Sequence, residues 1–169
     1  MNNFNPGWFV IYTRPRHEKK VEDQLKERKI ESFLPVRNEI KTWSDRKKMV
    51  KTPLFPSYIF VYIKELAQYY TATGLDGVIY FLKTGKNVSR VNEKVINDIQ
   101  MLLDFGENIS VSNSRFSTGQ QLLIQKGPFV GRYCDFIEVN GSTLALVQLN
   151  VLQRSLTATL PYEYLTVAD

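Results

Sequence analysis

Cysteine and histidine are nearly absent from this 169-residue chain, which holds one of each, Cys134 and His17. A single cysteine excludes an internal disulfide, and one of each cannot build a zinc site from the usual ligands. Cys134, between Tyr133 and Asp135, reads as a small core residue, and a reducing compartment fits it. No apolar run approaches the roughly 20 residues that cross a bilayer as a helix. The opening residues, Met1-Asn2-Asn3-Phe4-Asn5-Pro6-Gly7, lack both the basic start and the apolar segment of a secretory signal. The expected setting is cytoplasmic, with no membrane partner. Also missing are a P-loop, GxGxxG and HExxH. His17 has no cysteine, serine motif or paired carboxylate that the sequence puts beside it. No catalytic residue, cofactor or metal is expected, and the chain reads as a non-enzyme.

What is present is enough apolar content for a real core: 43% of residues are hydrophobic. The net charge of +5 is unevenly placed. Before residue 110 there are 18 Lys/Arg against 13 Asp/Glu, and after it 4 against 4. Contact with an anionic partner is therefore expected from the N-terminal part.

Trp8-Phe9-Val10-Ile11-Tyr12-Thr13 is apolar on both alternating faces, as in a central strand. A helix is expected from Pro15 to about Lys29, with Val21 and Leu25 toward the core and Arg16, His17, Lys20 and Gln24 on a polar stripe. A short strand over 32–36 and a polar hairpin tip at Ser44-Asp45-Arg46-Lys47-Lys48 follow. The strongest strand covers 54–63. Ser57, Ile59, Val61 and Ile63 point one way there, and Tyr58, Phe60 and Tyr62 the other. A helix over 64–73 ending at Gly74, a strand over 78–82, and a helix capped by Asn92 complete this part. The order β-α-β-β-α-β predicts an α+β, ferredoxin-like antiparallel sheet with helices over residues 1–105. Residues 106–118 have a serine- and asparagine-rich linker composition. Five short strands over 119–169, with a hairpin signal at Asn140-Gly141, predict a small all-β, SH3-like barrel.

The row Tyr58, Phe60, Tyr62 is the most informative feature. If the alternate residues pack under helices, the aromatics stand on the other face. They are then covered by a neighbouring domain or used for docking, because bare aromatic patches invite aggregation. Stacked RNA bases or an apolar protein helix could dock there. The glycine–aromatic signature of an RNA-stacking strand is missing, which favours a protein. Two basic clusters, one at Arg14, Arg16, His17, Lys19 and Lys20 and one at Arg46, Lys47, Lys48 and Lys51, point to nearby nucleic acid.

At Pro53-Leu54-Phe55-Pro56-Ser57-Tyr58-Ile59-Phe60-Val61 the chain resembles the NusG family of transcription elongation factors. Trp8-Phe9-Val10-Ile11-Tyr12 is similar to that family's first strand, and Asp76-Gly77-Val78-Ile79-Tyr80-Phe81 to its G-V-x-x-F strand. Lys126-Gly127-Pro128-Phe129-Val130-Gly131 is similar to the turn of its KOW barrel. Cys134 stands where a glycine is usual, and Leu152-Gln153-Arg154 replaces an L-G-R stretch. These departures resemble specialised paralogues of the RfaH and UpxY type.

The resemblance implies a transcription elongation or antitermination factor. Its N-terminal domain would bind the clamp helices of the RNA polymerase β′ subunit through Tyr58 and Phe60, with Tyr12 and Phe81 beside them. Gln68, Tyr69, Tyr70 and Thr71 match the contact with the β gate loop. Arg14, Arg16, His17, Lys20 and Gln24 match a contact with non-template DNA, where Asp76 replaces a helpful basic residue. The barrel, through Phe129, would recruit Rho or a ribosomal protein. The chain would act as a monomer without cofactors. One paralogue refolds this domain into helices, but Thr157, Thr159 and Pro161 favour strand and turn here. The rival reading is a ribosome-associated RNA-binding protein, since KOW barrels also occur there.

Overall fold

The structure is a computed structural model that describes residues 4–105, 107–112, 120–125, 130, 133–139, 142–152, 154–159 and 165–167. The chain divides into two compact units, residues 1–96 and 97–169. The first contains β1 (Gly7–Thr13), α1 (Glu18–Glu27), β2 (Glu31–Phe33), β3 (Val36–Thr42), β4 (Lys47–Pro53) and β5 (Tyr58–Ile63). These are followed by α2 (Leu66–Thr73), β6 (Val78–Phe81), β7 (Lys83–Thr84), β8 (Asn87–Val88) and β9 (Arg90–Val91). Helix α3 (Glu93–Phe105) crosses the division. The second unit contains β10 (Glu107–Ser112), β11 (Gln120–Ile124), β12 (Tyr133–Val139), β13 (Ser142–Val151), β14 (Arg154–Thr159) and β15 (Leu165–Val167).

The main sheet runs β2-β5-β1-β6, and β9 also pairs with β1. Every pairing in it is antiparallel. This is the strand order of a ferredoxin-like sheet, with β1 central as its two-sided apolar pattern predicts. The helix-side core joins Phe9 and Ile11 of β1, Ile59, Val61 and Ile63 of β5, Val21 and Leu25 of α1, Ala72 of α2, and Phe81 of β6. Thus Ile59, Val61 and Ile63 pack as the alternation predicts.

Ser57 does not belong to that alternation. The expected strand over 54–63 is broken: β4 stops at Pro53 and β5 starts at Tyr58. Ser57 between them has φ 68, in the left-handed region that non-glycine residues avoid. Pro53 and Pro56 have no N–H to give a ladder, so the chain turns here, with Tyr58 N–H donating to the Phe55 carbonyl at 3.1 Å.

Strands β3 and β4 form a separate two-stranded sheet, and its turn is closed by Trp43 N–H donating to the Arg46 carbonyl at 2.8 Å. Gly74 ends α2, and its N–H reaches the carbonyls of Tyr70 and Thr71. Asn92 caps α3, accepting from Lys94 N–H at 2.9 Å, and Ile96, Ile99 and Leu102 are the buried stripe of that helix.

In the second unit the order is β10-β14-β13-β12-β11-β15, all antiparallel. The five predicted strands lie where expected. A sixth, β10, lies at 107–112, where a linker was expected from composition. Serine and asparagine are poor strand signals alone, but Ile109 and Val111 alternate within the segment, and β14 supplies its ladder. The Asn140-Gly141 turn and the Phe129 turn lie outside the described residues.

Candidate functional site

The register of β1 sets the aromatic face. Tyr12 lies opposite Tyr58 on β5 and opposite Tyr80 on β6. All three rings therefore stand on the sheet face away from the α1/α2 core, in one row across three strands. Tyr12 stacks on Tyr80 with centroids 5.0 Å apart and planes at 24°. It meets Tyr58 at 5.3 Å and 55°. Tyr12 and Tyr58 are half-buried, and Tyr80 is 47% exposed. Further along the same face Trp8 and Tyr62 make an edge-on pair at 5.5 Å.

Two residues expected in this row have other places. Phe60 is fully buried, stacked with Phe33 at 6.1 Å and edge-on to Phe55 at 6.2 Å. It shares the face with Tyr58 but is not bare, so it supports the surface from below. Phe81 lies on the opposite face, paired with Ile11 and packed on Phe9 and Tyr69 in the helix-side core. The exposed partner of Tyr12 is instead Tyr80, one residue earlier. Alternation puts either Tyr80 or Phe81 on Tyr12's face, and only the register with β1 decides which.

On α2, Tyr70 is 64% exposed and edge-on to Tyr69, which itself leans on Phe81 at 4.6 Å. Gln68 accepts from Lys64 N–H at 2.8 Å, and Thr71 donates to the Ala67 carbonyl at 2.9 Å. Of the four α2 residues, Tyr70 and Thr71 are exposed.

The polar stripe of α1 meets the turn before β6. Lys20 Nζ lies 2.6 Å from Asp76 Oδ2, and Arg14 lies 3.9 Å from Oδ1. Gln24 donates to the Asp76 carbonyl at 2.8 Å and accepts from Asp76 N–H at 3.3 Å. Asp76 is held below its ordinary 3.8, first by the hydrogen bond from Lys20 and then by the charges around it. His17 Nδ1 is 3.1 Å from the Pro15 carbonyl, and its ring lies against Gly77. Arg16 is exposed at φ 65 and makes no ion pair among the described residues. The structure thus brings Arg14, His17, Lys20 and Gln24 together and sets an acid among them.

The β3–β4 hairpin presents Ile40 at 66%, Met49 at 60% and Trp43 at 53% exposure among its cations, with the Arg46 guanidinium over the Trp43 ring at 5.5 Å. Among the described residues no cluster of His, Cys, Asp or Glu could hold a metal, and no helix is long and apolar enough to cross a membrane.

With this geometry, the family described as transcription termination factor NusG matches residues 6–100, more than half of the chain. The transcription termination/antitermination protein NusG of Lactococcus lactis is 26% identical over 158 residues, covering 85% of this chain and 84% of its own. The protein of the same description from Streptococcus pyogenes is 23% identical over 158 residues, covering 87% and 88%. A solved structure of Thermotoga maritima NusG superposes over 98% of both chains with a TM-score of 0.59 at 19% identity, a likeness of fold.

Proposed function

The chain belongs to the NusG family, and we propose that it is a transcription elongation and antitermination factor, acting in the cytoplasm by binding rather than by bond chemistry. The observation that carries this reading is the Tyr58–Tyr12–Tyr80 row. Three aromatic rings on one rigid sheet face, with Tyr80 half bare, suit an apolar protein helix. That partner is RNA polymerase, at the clamp helices of β′. Tyr70 and Thr71 on α2 reach the β gate loop, while Tyr69 packs edge-on to Tyr70 and Gln68 ties the start of the helix at Lys64 N–H. Bridging the two jaws stabilises the closed clamp through differential binding and so disfavours pausing.

Arg14, Arg16, His17, Lys20 and Gln24 face non-template DNA, with Asp76 tempering the charge. The second unit is a KOW-type barrel that recruits Rho or a ribosomal protein through the turn holding Phe129. The names carried by the Lactococcus and Streptococcus relatives support the termination/antitermination class.

Titration of core RNA polymerase with the wild type and with Tyr12→Ala/Tyr80→Ala tests the reading. The variant should bind about tenfold to a hundredfold more weakly, as expected for a central aromatic cluster. A wild type that ignores polymerase but binds RNA with steep salt dependence would overturn it in favour of a ribosome-associated RNA-binding protein.

A further inference from the structure

Glu18 opens α1, yet its side chain is only 5% exposed. Burying a carboxylate is unfavourable unless it is hydrogen-bonded, and a position in the first turn of a helix eases the charge. The bond that Glu18 makes is to the main chain of another element: Oε1 accepts from Ser57 N–H at 2.7 Å. Such a charge-assisted bond is among the stronger kinds. Its target is the one residue in the turn before β5 with left-handed backbone, φ 68, and it is 8% exposed. The Ser57 carbonyl in turn accepts from Thr13 N–H at 2.8 Å, where the pairing of β1 with β6 shifts register between Tyr12 and Thr13. Both main-chain groups of Ser57 are therefore held, one by α1 and one by the end of β1. The residues that follow and precede these anchors, Tyr58 and Tyr12, are the first two rings of the aromatic row.

We propose that Glu18 is a positioning residue for the docking face: it holds Ser57 left-handed and thereby sets Tyr58 against Tyr12 before any partner arrives. The proposal rests on the polymerase-docking reading for its purpose, but its geometry is read in the free protein. Fixing rings beforehand removes an ordering cost from binding. Without the carboxylate, Ser57 loses the acceptor for a buried N–H, and the bond from Thr13 alone is left to hold an unfavourable φ.

The test uses the full chain with isotope-labelled tyrosine rings, followed by NMR, and the same variants titrated with core polymerase. In Glu18→Ala the Tyr58 and Tyr12 signals should move or broaden while that of Tyr70, on α2, stays. Polymerase affinity should fall by about tenfold through lost preorganisation. Glu18→Gln keeps an acceptor oxygen and should keep the wild-type ring signals. In Glu18→Ala/Ser57→Gly, glycine takes the left-handed conformation unaided, so ring signals and affinity should return toward wild type although the carboxylate is still missing. If Glu18→Ala alone does not fold, the comparison of Ser57→Gly with the double variant decides, and the two should match in their Tyr58 and Tyr12 signals. Wild-type ring signals in Glu18→Ala, or displaced ones in the double variant, would overturn the proposal. A wild type that failed to bind polymerase would sink the functional reading, while the ring signals would still decide this one.

Discussion

Lys20 and Asp76 are 56 residues apart in sequence, and Lys20 Nζ meets Asp76 Oδ2 at 2.6 Å, joining the polar stripe of α1 to the turn before β6. With Arg14 at 3.9 Å on the other oxygen, one acid offsets two of the cations proposed to face DNA. Asp76→Asn should free both. DNA binding should strengthen, and the slope of log K against log salt should steepen by about one to two, as each freed cation releases roughly one counterion. Filter binding or fluorescence anisotropy across a salt series reads this directly. An unchanged slope would mean that these cations do not face phosphate.

The same pair predicts a limited acid dependence. The folded-state value of Asp76 is depressed by the hydrogen bond from Lys20 first, so its contribution to stability is present above the ordinary 3.8 and is lost as pH falls through the lower folded value. The carboxylate is solvent-exposed, and the effect is that of a surface pair. Urea midpoints for wild type and Asp76→Asn should differ most near neutral pH and converge on the acid side of 3.8. A difference that persists unchanged to the lowest pH would mean that the substitution acts through something other than the carboxylate charge, since the main-chain contacts of Asp76 with Gln24 remain in Asp76→Asn.

Tyr12 and Tyr80 should be coupled, and Phe60 should act differently from both. A double-mutant cycle on Tyr12→Ala and Tyr80→Ala, followed by denaturant unfolding, should give a coupling of about 0.5–1.5 kcal/mol for the stacked pair. Phe60→Ala should destabilise the fold by about 3–5 kcal/mol, since it empties a buried aromatic site. Any loss of polymerase binding in Phe60→Ala should therefore track loss of folded protein. Tyr80→Ala should lose binding while it remains folded.

The hairpin offers the contrasting case of exposed residues with little to lose. Trp43→Ala removes a ring that is 53% exposed and whose visible contact is the Arg46 guanidinium. Its effect on unfolding free energy should stay within about 1 kcal/mol, the range of an exposed cation–π contact. A larger loss in thermal or denaturant melts would mean that the hairpin tip packs on the rest of the unit.

Much of this arrangement was legible in sequence because periodicity reports burial. The two-sided apolar pattern of β1 foretold a central strand, and Ile59, Val61 and Ile63 foretold the helix-side face of β5. What sequence could not supply was register and backbone conformation. The family resemblance implied Phe81 beside Tyr12; a one-residue register step exchanges it for Tyr80. Phe60 was expected to be bare because alternation gives the face of a side chain but not what lies over that face. Ser57 fitted the alternation by count, yet the two prolines that precede it, Pro53 and Pro56, and the reach of Glu18 take it out of the strand. The composition of 106–118 hid β10, whose ladder depends on β14, more than forty residues downstream.

Gly77 supplies the most specific backbone prediction. Its φ is +97, a conformation that L side chains rarely adopt. A Cβ built there would lie 3.0 Å from His17 Cβ, 3.1 Å from its Cδ2 and 3.2 Å from Val21 Cγ2. Its carbonyl accepts from Arg14 N–H at 2.8 Å, so the turn cannot move away without breaking the tie to the end of β1. Both the backbone and the space therefore oppose a side chain. Gly77→Ala should destabilise the protein by about 1–3 kcal/mol, the range for a residue forced into a sparse backbone region. It should also displace the His17 ring, visible as a shift of its imidazole resonances in NMR. Gly85 is the internal comparison: its φ is +63, but a Cβ there meets nothing within 4 Å. Gly85→Ala should show the backbone penalty alone and leave His17 unmoved. Equal losses in the two variants would mean that the contact with His17 and Val21 yields readily, and that backbone conformation alone demands glycine at position 77.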